Sequence, residues 1–345
     1  MERKVKNKLL HKAKKAKCDE FYTQYCDIQK EIDKYIEYNP DVFRGRVVYC
    51  NCDDPRISNF FKYFFINFSK FGLKKLISAC YKKKNNEGCD TEKAFYIECD
   101  SDEFDLNRID KKIKYFKNDG DFRSIESTEL LMQSDIVITN PPFSLFREYI
   151  KQLVDYDKDF LIIANINAIT YKEVFPLIKE NKIWLGTGMG RWISGFIVPE
   201  SYDLYGSEAR IDDEGTRIVA TNNCLWFTNL DHGKRHQQLP LMTMSDNIKF
   251  SSHKEIKGKE YKKYDNYDAI EIPYSDAIPN DYKGVMGVPI TFLDKYNPDQ
   301  FEIIGASDNG AVDEKYKLAH FKKHNEPYIN GNKTYKRIFI KKYIN

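Results

Sequence analysis

The hydrophobic pattern of the chain alternates between short apolar runs and amphipathic stretches. The runs Asp135–Thr139 and Asp159–Ala164 have the length of buried strands. Between such runs apolar residues recur at helical spacing, as Leu145, Tyr149 and Leu153 do. Strands that alternate with helices predict an α/β fold with a doubly wound, mostly parallel, Rossmann-like sheet.

Local signals refine the expected sheet. Asp159–Ala164 is the most apolar run, which predicts a strand in the middle of a parallel sheet covered on both faces. Ala94–Glu98 is expected to be an added hairpin strand. Thr170 and Glu173 have the capping-box spacing that predicts the start of a helix at Thr170.

The character of the sequence changes near residue 230. Beyond that point the chain is polar and punctuated by prolines, which predicts a loop-rich region. These prolines are Pro240, Pro273, Pro279, Pro289 and Pro298. We therefore predict three parts: a basic N-terminal arm at residues 1–18, an α/β domain at 19–230, and a separate region at 231–345.

The composition excludes several classes of protein. The chain has 345 residues, 41% hydrophobic and 31% charged, which suffices for a large buried core and excludes a disordered chain. No apolar run approaches the roughly 20 residues that a membrane-spanning helix needs, and lysines stand where a signal peptide would be apolar. The eight cysteines form no CxxC pair. We therefore expect reduced thiols, a cytoplasmic location, no membrane contact and no metal site.

The net charge of +3 conceals an asymmetry. The first 17 residues carry eight Lys or Arg and one Glu, a charge of +7, so the rest of the chain carries −4. A concentrated basic arm on a weakly acidic body is typical of a polyanion partner. Lys14 and Lys15 are its candidate phosphate contacts. A solvated surface explains the same lysines equally well.

A second polar cluster, Lys234-Arg-His-Gln237, follows the last predicted strand of the α/β domain. Its side chains can reach phosphates and base edges, and Arg pairs in bidentate geometry with guanine as Gln does with adenine. Lys234, Arg235, His236 and Gln237 are therefore candidate nucleic-acid contacts. An ordinary polar loop is the equal alternative.

The sharpest chemical signal is Asn140-Pro-Pro-Phe143, at the exit of the predicted strand Asp135–Thr139. The two prolines hold the backbone extended, and Pro141 has no N–H that would compete for an acceptor. The Asn140 side-chain carbonyl then lies beside main-chain carbonyls, which suits an exocyclic amine with two N–H donors. Phe143 offers an aromatic face to a planar base. A proline-terminated strand with a capping Asn is the alternative explanation.

Asn140-Pro-Pro-Phe143 also matches the (D/N/S)PP(Y/F/W) signature of methyltransferases that modify amines with S-adenosylmethionine (SAM). Four further segments resemble the EcoRI-type adenine-specific DNA methyltransferase family, so that the resemblance spans nearly the whole chain. These segments are Asn7–Lys14, Asp19–Tyr25, Tyr49–Arg56 and Gly284–Phe292.

The resemblance implies methyl transfer from SAM to N6 of a flipped-out adenine in duplex DNA. Asn140, Pro141, Pro142 and Phe143 would be the catalytic residues, with 19–230 as a SAM-methyltransferase domain and 231–345 as the DNA-recognition region. It further implies double-stranded DNA as the partner, a GAATTC-like target, action as a monomer, and a restriction-modification system with a cognate endonuclease.

The same resemblance suggests contacts to SAM near the first strand. Phe21 and Thr23 correspond to an N-terminal element that packs over the cofactor, although Phe21 also fits a core position. Asn51, Asp53 and Asp54 stand where most relatives have a glycine-rich turn, and this chain has no glycine there. Asp53 or Asp54 would hold the amino or methionyl end of SAM, or would equally well cap the following helix.

Two further positions follow the third-strand element of the family. Asp121 would accept a hydrogen bond from the adenine amine of SAM, and Phe122 would pack on its ring. Asp121 could instead be a turn carboxylate after Gly120. The second strand of relatives ends in an acid that binds ribose, but Ala79–Tyr81 has none, so the ribose contact stays unassigned.

Two other functions fit the same residues. A SAM-dependent enzyme could act on another amine, such as cytosine N4, adenine in RNA or a glutamine side chain. The missing glycines and the missing second-strand acid also fit a DNA-binding protein without catalytic activity.

Overall fold

The structure is a computed structural model that describes residues 22–81, 93–103, 105–188, 193–200, 204, 209–219, 223–307 and 326–343. Lys14, Lys15 and Phe21 lie outside the described residues, as does the whole basic arm. The chain divides into two compact units. The first consists of Met1–Ile166 and Gly186–Leu230, and the second of Asn167–Leu185 and Asp231–Asn345.

Helices and strands are numbered in chain order. The α-helices are α1 Tyr25–Tyr38, α2 Asn59–Ile66, α3 Phe68–Phe71, α4 Ile125–Gln133, α5 Phe146–Asp155, α6 Phe175–Lys179 and α7 Met244–Phe250. The strands are β1 Tyr22–Thr23, β2 Val47–Cys50, β3 Lys75–Cys80, β4 Phe95–Cys99, β5 Lys114–Tyr115, β6 Ile136–Thr139, β7 Asp159–Asn165, β8 Trp184–Leu185, β9 Phe196–Ile197, β10 Arg210–Ile211, β11 Arg217–Val219, β12 Cys224–Thr228, β13 Ala269–Glu271, β14 Val285–Pro289, β15 Phe301–Ala306, β16 Tyr328–Ile329, β17 Asn332–Lys333 and β18 Arg337–Lys342. Short 3-10 helices lie at Leu106–Lys112, Phe143–Leu145, Ile166–Thr170, Gly233–His236, Ser275–Ala277 and Ile290–Lys295.

The first unit is built on a mixed sheet whose strands lie in the order β5-β4-β3-β2-β6-β7-β12. The central strands β3, β2, β6 and β7 are parallel, with Val48 opposite Leu76 on one side and Ile136 on the other. β4 and β5 at one side and β12 at the other are antiparallel to their neighbours. The α/β prediction is confirmed, but the expected mostly parallel sheet is correct only for the four central strands.

The strand β7 shows why the apolar runs predicted too many parallel strands in the sheet. Leu161, Ile162 and Ile163 are fully buried, as the apolar run predicts. However, β7 pairs in parallel with β6 and antiparallel with β12, and all five residues of β12 are buried as well. An apolar run therefore reports burial on both faces and does not report the direction of the neighbouring strand.

Helices α1 and α2 share the main core of the first unit with the sheet. Ile28, Ile32 and Tyr35 recur at helical spacing on α1 and are fully buried. They belong to the same apolar cluster as Phe60 and Phe64 of α2. α2 is fixed at its start by Ser58, whose hydroxyl accepts a hydrogen bond from the Phe61 N–H.

Two buried carboxylates of α1 hold both ends of one segment of the first unit. Glu31 accepts hydrogen bonds from the Thr187 N–H (2.7 Å) and hydroxyl (2.8 Å). Asp27 accepts from the Ser194 N–H (2.8 Å) and hydroxyl (2.9 Å). Beyond Ser194, the chain enters β9, which pairs with β1 in a small sheet of order β1-β9-β11-β10. Through Ser194 and β9, α1 is therefore connected to β1, the first described strand of the chain.

The second unit contains more regular structure than the expected loop-rich region. Four strands form a sheet in the order β13-β14-β18-β15, in which β13 and β14 are parallel and β18 is antiparallel to both of its neighbours. Glu271 and Arg337 form a buried ion pair at 2.5 Å. Pro289 is the last residue of β14, so this proline ends a strand without interrupting the sheet.

The capping-box prediction was wrong. Thr170 is the last residue of a 3-10 helix, and its hydroxyl donates to the Asn167 carbonyl at 3.1 Å. The next helix, α6, begins at Phe175 with Val174 as its N-cap. The N-cap of the next helix therefore lies four residues beyond the predicted one.

Three further properties hold for the described ranges. None of their helices is long and apolar enough to cross a membrane. Their six cysteines, Cys26, Cys50, Cys52, Cys80, Cys99 and Cys224, are free thiols, and no group of their His, Cys, Asp and Glu residues could hold a metal ion.

Gly186→Ala tests the close approach between α1 and β12 in the first unit. A Cβ at Gly186 would lie 2.3 Å from Glu31 Oε1 and 2.5 Å from Trp226 Cβ, and both neighbours are buried. We expect the free energy of unfolding, measured in urea, to fall by about 3 kcal/mol.

Gly215→Ala is the matched control. Its Cβ would have no heavy atom within 4 Å, so only the positive φ of 83° opposes it. We expect that variant to cost about 1 kcal/mol. Equal losses of stability in the two variants would contradict the packing around Gly186.

Candidate active site

The candidate site lies where two central strands of the first unit end. From β2 the chain passes to β3 on one side of the sheet, whereas β6 and β7 lie on the other side. The order of strands therefore reverses between β2 and β6, and ligands of open α/β sheets bind beyond the carboxyl ends at such a point. Asn51 follows β2 and Asn140 follows β6, so the fold brings both predicted residues to this edge.

Thr139, the last residue of β6, connects the two strand exits. Its buried hydroxyl donates to the Asn51 carbonyl and also lies 3.0 Å from Asp53 Oδ2. Asp53 is fixed from a third strand, because its N–H donates to the Ala79 carbonyl (2.9 Å) and its carbonyl accepts from the Ser78 hydroxyl (2.9 Å). Hydrogen bonds thus connect the carboxyl ends of β2, β3 and β6 with one another.

The Asn140–Phe143 corner is not sealed under other side chains. Pro141 is buried, whereas Asn140, Pro142 and Phe143 keep part of their surface exposed. Pro142 is extended (φ −61°, ψ 118°) and its carbonyl accepts from the Leu145 N–H, which starts the short 3-10 helix. The Phe143 ring meets Phe196 of β9 edge to face at 6.3 Å between centroids. The corner therefore combines the Asn140 amide, whose Oδ1 is buried, with a partly exposed aromatic ring.

The turn after β2 replaces the absent glycine with a strained residue. Cys52 has a φ of 63°, the left-handed region that glycine adopts without strain. The Asn51 side chain supports this conformation by accepting the Cys52 N–H at 2.7 Å. The turn after β2 thus adopts, at Cys52, a backbone conformation typical of glycine, although the turn contains no glycine.

Asp53 is a buried carboxyl with an unusual protonation equilibrium. Burial raises its pKa from 3.8 to about 7, and its hydrogen bonds with Thr139 and Ser58 only partly oppose this shift. The Thr139 hydroxyl has one proton and two oxygen neighbours, Asn51 O and Asp53 Oδ2. A protonated Asp53, which can itself donate, satisfies both contacts.

Asp54 is engaged in a different way. Both of its carboxylate oxygens accept from the Arg56 guanidinium, at 3.0 and 2.7 Å, and the Arg56 guanidinium lies over the Phe95 ring at 4.6 Å. Of the two adjacent acids, Asp54 therefore shapes the turn, and Asp53 faces the strand exits.

Asp121 and Phe122 follow a glycine that the close packing requires. Gly120 has a φ of +71°, and a Cβ there would lie 2.8 Å from Ala94 Cβ. Asp121 accepts from both the Nε and the Nη2 of Arg123, each at 2.8 Å, and this pairing lowers its pKa. Phe122 is buried and packs edge to face on Tyr149 at 5.0 Å. Asp121 is thus a fully ionised carboxylate.

The turn after β2 and the segment after Gly120 are neighbours, and both act on the Cys52 thiol. Burial raises its pKa, and the charges of Asp53 and Asp121 raise it further. The Asp53 N–H donates to the Ala79 carbonyl, and a Cβ at Gly120 would lie 3.1 Å from the Cys80 carbonyl, so both segments lie at the end of β3.

Thr23 lies on β1, which pairs with β9 so that Thr23 is opposite Phe196. Its carbonyl accepts from the Asn59 side-chain amide at 2.9 Å. The side chain is buried, and its hydroxyl has no hydrogen-bond partner among the described residues. A buried hydroxyl without a partner is a place where a bound group can supply one.

Sequence reasoning missed several residues of this region. Thr139 was counted only as the end of a strand, and Tyr149 only as part of an apolar helix face. The hydroxyls of Tyr49 and Tyr149 are buried and have no partner in the described part of the chain. Burial raises the pKa of Tyr149, and Cys52 and Tyr49 raise it further, so these hydroxyls lie near the turn after β2. A tyrosine inside an otherwise apolar pattern was the available signal.

The predicted nucleic-acid contacts at 234–237 lie in the second unit. Lys234 pairs with Asp294 at 2.5 Å, and His236 lies 2.9 Å from Asp231. Arg235 is buried, with its guanidinium 3.6 Å from the centre of the Trp184 ring. Gln237 is exposed. The cations of this cluster therefore already have partners within the unit.

Comparison with known proteins gives a consistent result along the whole chain. Residues 9–343 match the family model described as adenine-specific methyltransferase EcoRI. The chain is 56% identical to the Type II methyltransferase M.EcoRI of Escherichia coli over 350 residues, which cover 99% of this chain and 98% of that protein. No solved structure matches it significantly.

Two mycoplasma proteins are more distant relatives. The Type II methyltransferase M.MgeORF184P of Mycoplasma genitalium is 36% identical over 96% of this chain and 98% of its own length. The Type II methyltransferase M.MpnI of Mycoplasma pneumoniae is 35% identical over 96% of this chain and 97% of its own length.

Asp53→Asn tests the protonation state at the strand exits. In the unfolded chain Asp53 ionises near 3.8, whereas in the folded protein it ionises near 7. Folded protein holds the extra proton between these values, so stability falls as the pH rises through this window. Asn has the shape of the neutral carboxyl and does not titrate.

We therefore expect wild type to lose about 2 kcal/mol of unfolding free energy relative to Asp53→Asn between about pH 5 and pH 8. Urea denaturation of both proteins at each pH measures the difference, because all other groups titrate alike in the two chains. A difference that does not change with pH would show that Asp53 is ionised in the folded protein.

Proposed function

The chain belongs to the family of EcoRI adenine-specific methyltransferases, and we propose that it methylates adenine N6 at the Asn140–Phe143 corner. It is a site-specific DNA adenine methyltransferase. The observation that supports the location of its chemistry is the partly exposed Asn-Pro-Pro-Phe corner at the switch point of the sheet, bonded through Thr139 to the turn after β2.

Membership of the family implies a methyl donor, and we propose SAM in that role. When bound, SAM supplies a methyl group activated by its sulfonium. The residues present fit such a cation-bearing nucleoside. Thr23 offers a hydroxyl that has no partner among the described residues, Asp53 a carboxyl that a positive group would ionise, and Asp121 an ionised acceptor.

We assign roles to these residues as follows. Asn51 and Asp53 hold the amino or methionyl end of the cofactor, and Asp54 keeps the turn in place through Arg56. Asp121 accepts from the adenine amine of SAM, and Phe122 borders its ring. Thr23 closes the site from the N-terminal element.

Asn140 and Pro141 orient the amine that accepts the methyl group. Adenine N6 is a weak nucleophile because its lone pair is delocalised into the ring. The Asn140 side-chain carbonyl and the Pro141 main-chain carbonyl accept its two N–H groups, which favours a pyramidal nitrogen with a directed lone pair. Pro141 and Pro142 hold these acceptors in an extended backbone. Alignment of two bound reactants can lower a barrier by roughly 7–11 kcal/mol.

The target adenine must leave the duplex, because N6 is inaccessible within a base-paired stack. Flipping costs on the order of a few kcal/mol. The exposed side of the Phe143 ring can stack on the flipped base, which contributes about 1–3 kcal/mol. Phe196 packs edge to face against the Phe143 ring, which holds the ring in position before the base arrives.

The biological setting follows from the relatives. Their names describe Type II methyltransferases, and we propose that this enzyme protects DNA in a restriction-modification system with a cognate endonuclease. The 56% identity to M.EcoRI favours a GAATTC-like target. We further propose that the enzyme acts as a monomer.

Transfer to cytosine N4, to RNA adenine or to glutamine, and binding without catalysis, are the competing functions. The adenine-specific family disfavours them. Incubation with methyl-labelled SAM and separate DNA, RNA and protein substrates distinguishes them directly. Label on N6 of adenine in DNA alone is the expected result, and label elsewhere or nowhere would refute the proposal.

Asn140→Ala tests the role of the corner. Removing a preorganised polar contact in a reaction centre typically costs about 10²–10³-fold in turnover, and we expect at least that loss of kcat, with SAM and DNA affinities unchanged. Radiolabel transfer and equilibrium binding measure the three quantities. Asn39→Ala, at the exposed end of α1, is the control and should retain full turnover. Full turnover in Asn140→Ala would refute the assignment.

Phe143→Ala tests the stacking surface. Loss of about 1–3 kcal/mol of stacking shifts the flipping equilibrium roughly 5- to 150-fold towards the stacked base. The signal of a 2-aminopurine at the target position, which brightens on flipping, should fall accordingly. Phe143→Tyr keeps the ring and should keep the signal. An undiminished signal in Phe143→Ala would assign stacking to another residue.

A further inference from the structure

One short segment of the second unit outside the 234–237 cluster has a clear excess of positive charge. Residues 249–263 contain six lysines and two glutamates, a net charge of +4, whereas the whole chain carries only +3. This segment runs from the end of α7 to the residues before β13. We call it the lysine segment.

The lysines of this segment differ from others in the same unit. Lys254, Lys257 and Lys262 are exposed, and none forms a salt bridge with any residue in the described ranges. By contrast, Lys234 pairs with Asp294 and Lys333 with Glu326. The nearby acids have other partners, because Asp276 pairs with His253 and Glu255 accepts from the Tyr274 hydroxyl. Glu255 also lies near the charge of Lys259, so the lysines of the segment without an acidic partner among the described residues include Lys254, Lys257 and Lys262.

The backbone that carries these lysines is fixed to the rest of the unit. Ile256 is buried, and the Gly258 N–H donates to the Ile248 carbonyl of α7 at 2.8 Å. The Lys262 carbonyl accepts from the Glu271 N–H of β13 at 2.8 Å, and the Tyr261 hydroxyl donates to the Ala277 carbonyl at 2.7 Å. A surface held in this way loses little conformational freedom when it binds a partner.

An apolar contact adjoins the charge. Phe250 is 61% exposed at the end of α7, and the Lys249 ammonium lies 4.8 Å from the centre of its ring. Phe250 lines one concave surface together with Pro240, Leu241, Met242, Ser251, Ser252 and Asp276. An exposed ring among unpaired cations suits a ligand that has both phosphates and apolar sugar or base surfaces.

We propose that the lysine segment is the phosphate-binding surface of the second unit for duplex DNA, with Phe250 as its apolar contact. The proposal rests on the proposed DNA methyltransferase function. It moves the main electrostatic contact away from Lys234, Arg235 and His236, whose polar groups are paired within the unit.

Salt dependence separates phosphate contacts from all others. Each lysine that neutralises a phosphate steepens the fall of log affinity with log salt by about 0.9. We expect Lys254→Gln/Lys257→Gln/Lys262→Gln to flatten the slope by about 2–3 and to weaken binding more than about tenfold at physiological salt. Fluorescence anisotropy with a labelled GAATTC duplex and the full chain measures both, and each single variant should flatten the slope by about 1.

A triple variant of the first unit controls for the loss of charge. Lys70, Lys74 and Lys111 are exposed, and Lys74 directly precedes β3 at the amino edge of the sheet, opposite the candidate site. Their replacement by Gln removes the same charge and should leave the slope unchanged. Phe250→Ala should weaken binding by a similar factor at every salt concentration, with an unchanged slope.

The outcomes test the proposed DNA-binding surface and the proposed methyltransferase function separately. Wild type that methylates DNA, together with a lysine-segment variant whose slope equals that of wild type, overturns the proposed surface and leaves the methyltransferase function intact. Equal flattening in both triple variants overturns it too. Wild type that neither binds nor methylates DNA overturns the function itself. Urea midpoints and SAM affinity of each variant show whether the fold is retained, and the single variants decide the matter if a triple variant unfolds.

Discussion

The hydroxyl of Thr139 is the contact on which the candidate site depends. Parallel pairing aligns β2 and β6 only as far as the strands run, and beyond them each chain could turn independently. The Thr139 hydroxyl joins the two exits by bonding to Asn51 and lying against Asp53. A valine would have nearly the same shape in a strand, so the reason for a hydroxyl here is chemical. The Thr139 hydroxyl therefore fixes the position of the corner assigned to the target base relative to the turn assigned to the cofactor.

This contact also fixes the electrostatic character of the site. Asp53 is buried, and no cation pairs with it among the described residues. Burial is costly for a carboxylate and raises the pKa of Asp53 to about 7. Asp121, paired with Arg123, has a lowered pKa. Two acids on one edge of the sheet are therefore held in different states. A positive group placed beside Asp53 would favour the ionised form of this carboxyl. Binding of a cationic ligand would therefore convert Asp53 from its neutral to its ionised form.

The sequence revealed the elements and the corner because both have local signals. Apolar runs located β6, β7 and β12, and the two prolines placed Asn140 directly after a strand. The antiparallel direction of β12, the left-handed turn at Cys52 and the burial of Asp27 and Glu31 have no such signal. Acids on an amphipathic helix resemble a solvated face, and only the partners Thr187 and Ser194, more than 150 positions away, account for their burial.

The same distinction between local and tertiary information governs the basic residues. Arg235 follows a core strand in a polar stretch, which in sequence favours a nucleic-acid contact. Its guanidinium instead lies on Trp184 and bonds to Asn181, about fifty positions earlier, so no local pattern could have shown its burial. The lysine segment differs because its charge excess is internal to fifteen residues and exceeds what the two glutamates in that span can neutralise. Composition locates positive charge, but tertiary pairing decides how much of it remains for a polyanion. Among the described residues of the second unit, Lys254, Lys257 and Lys262 at 249–263 keep such charge.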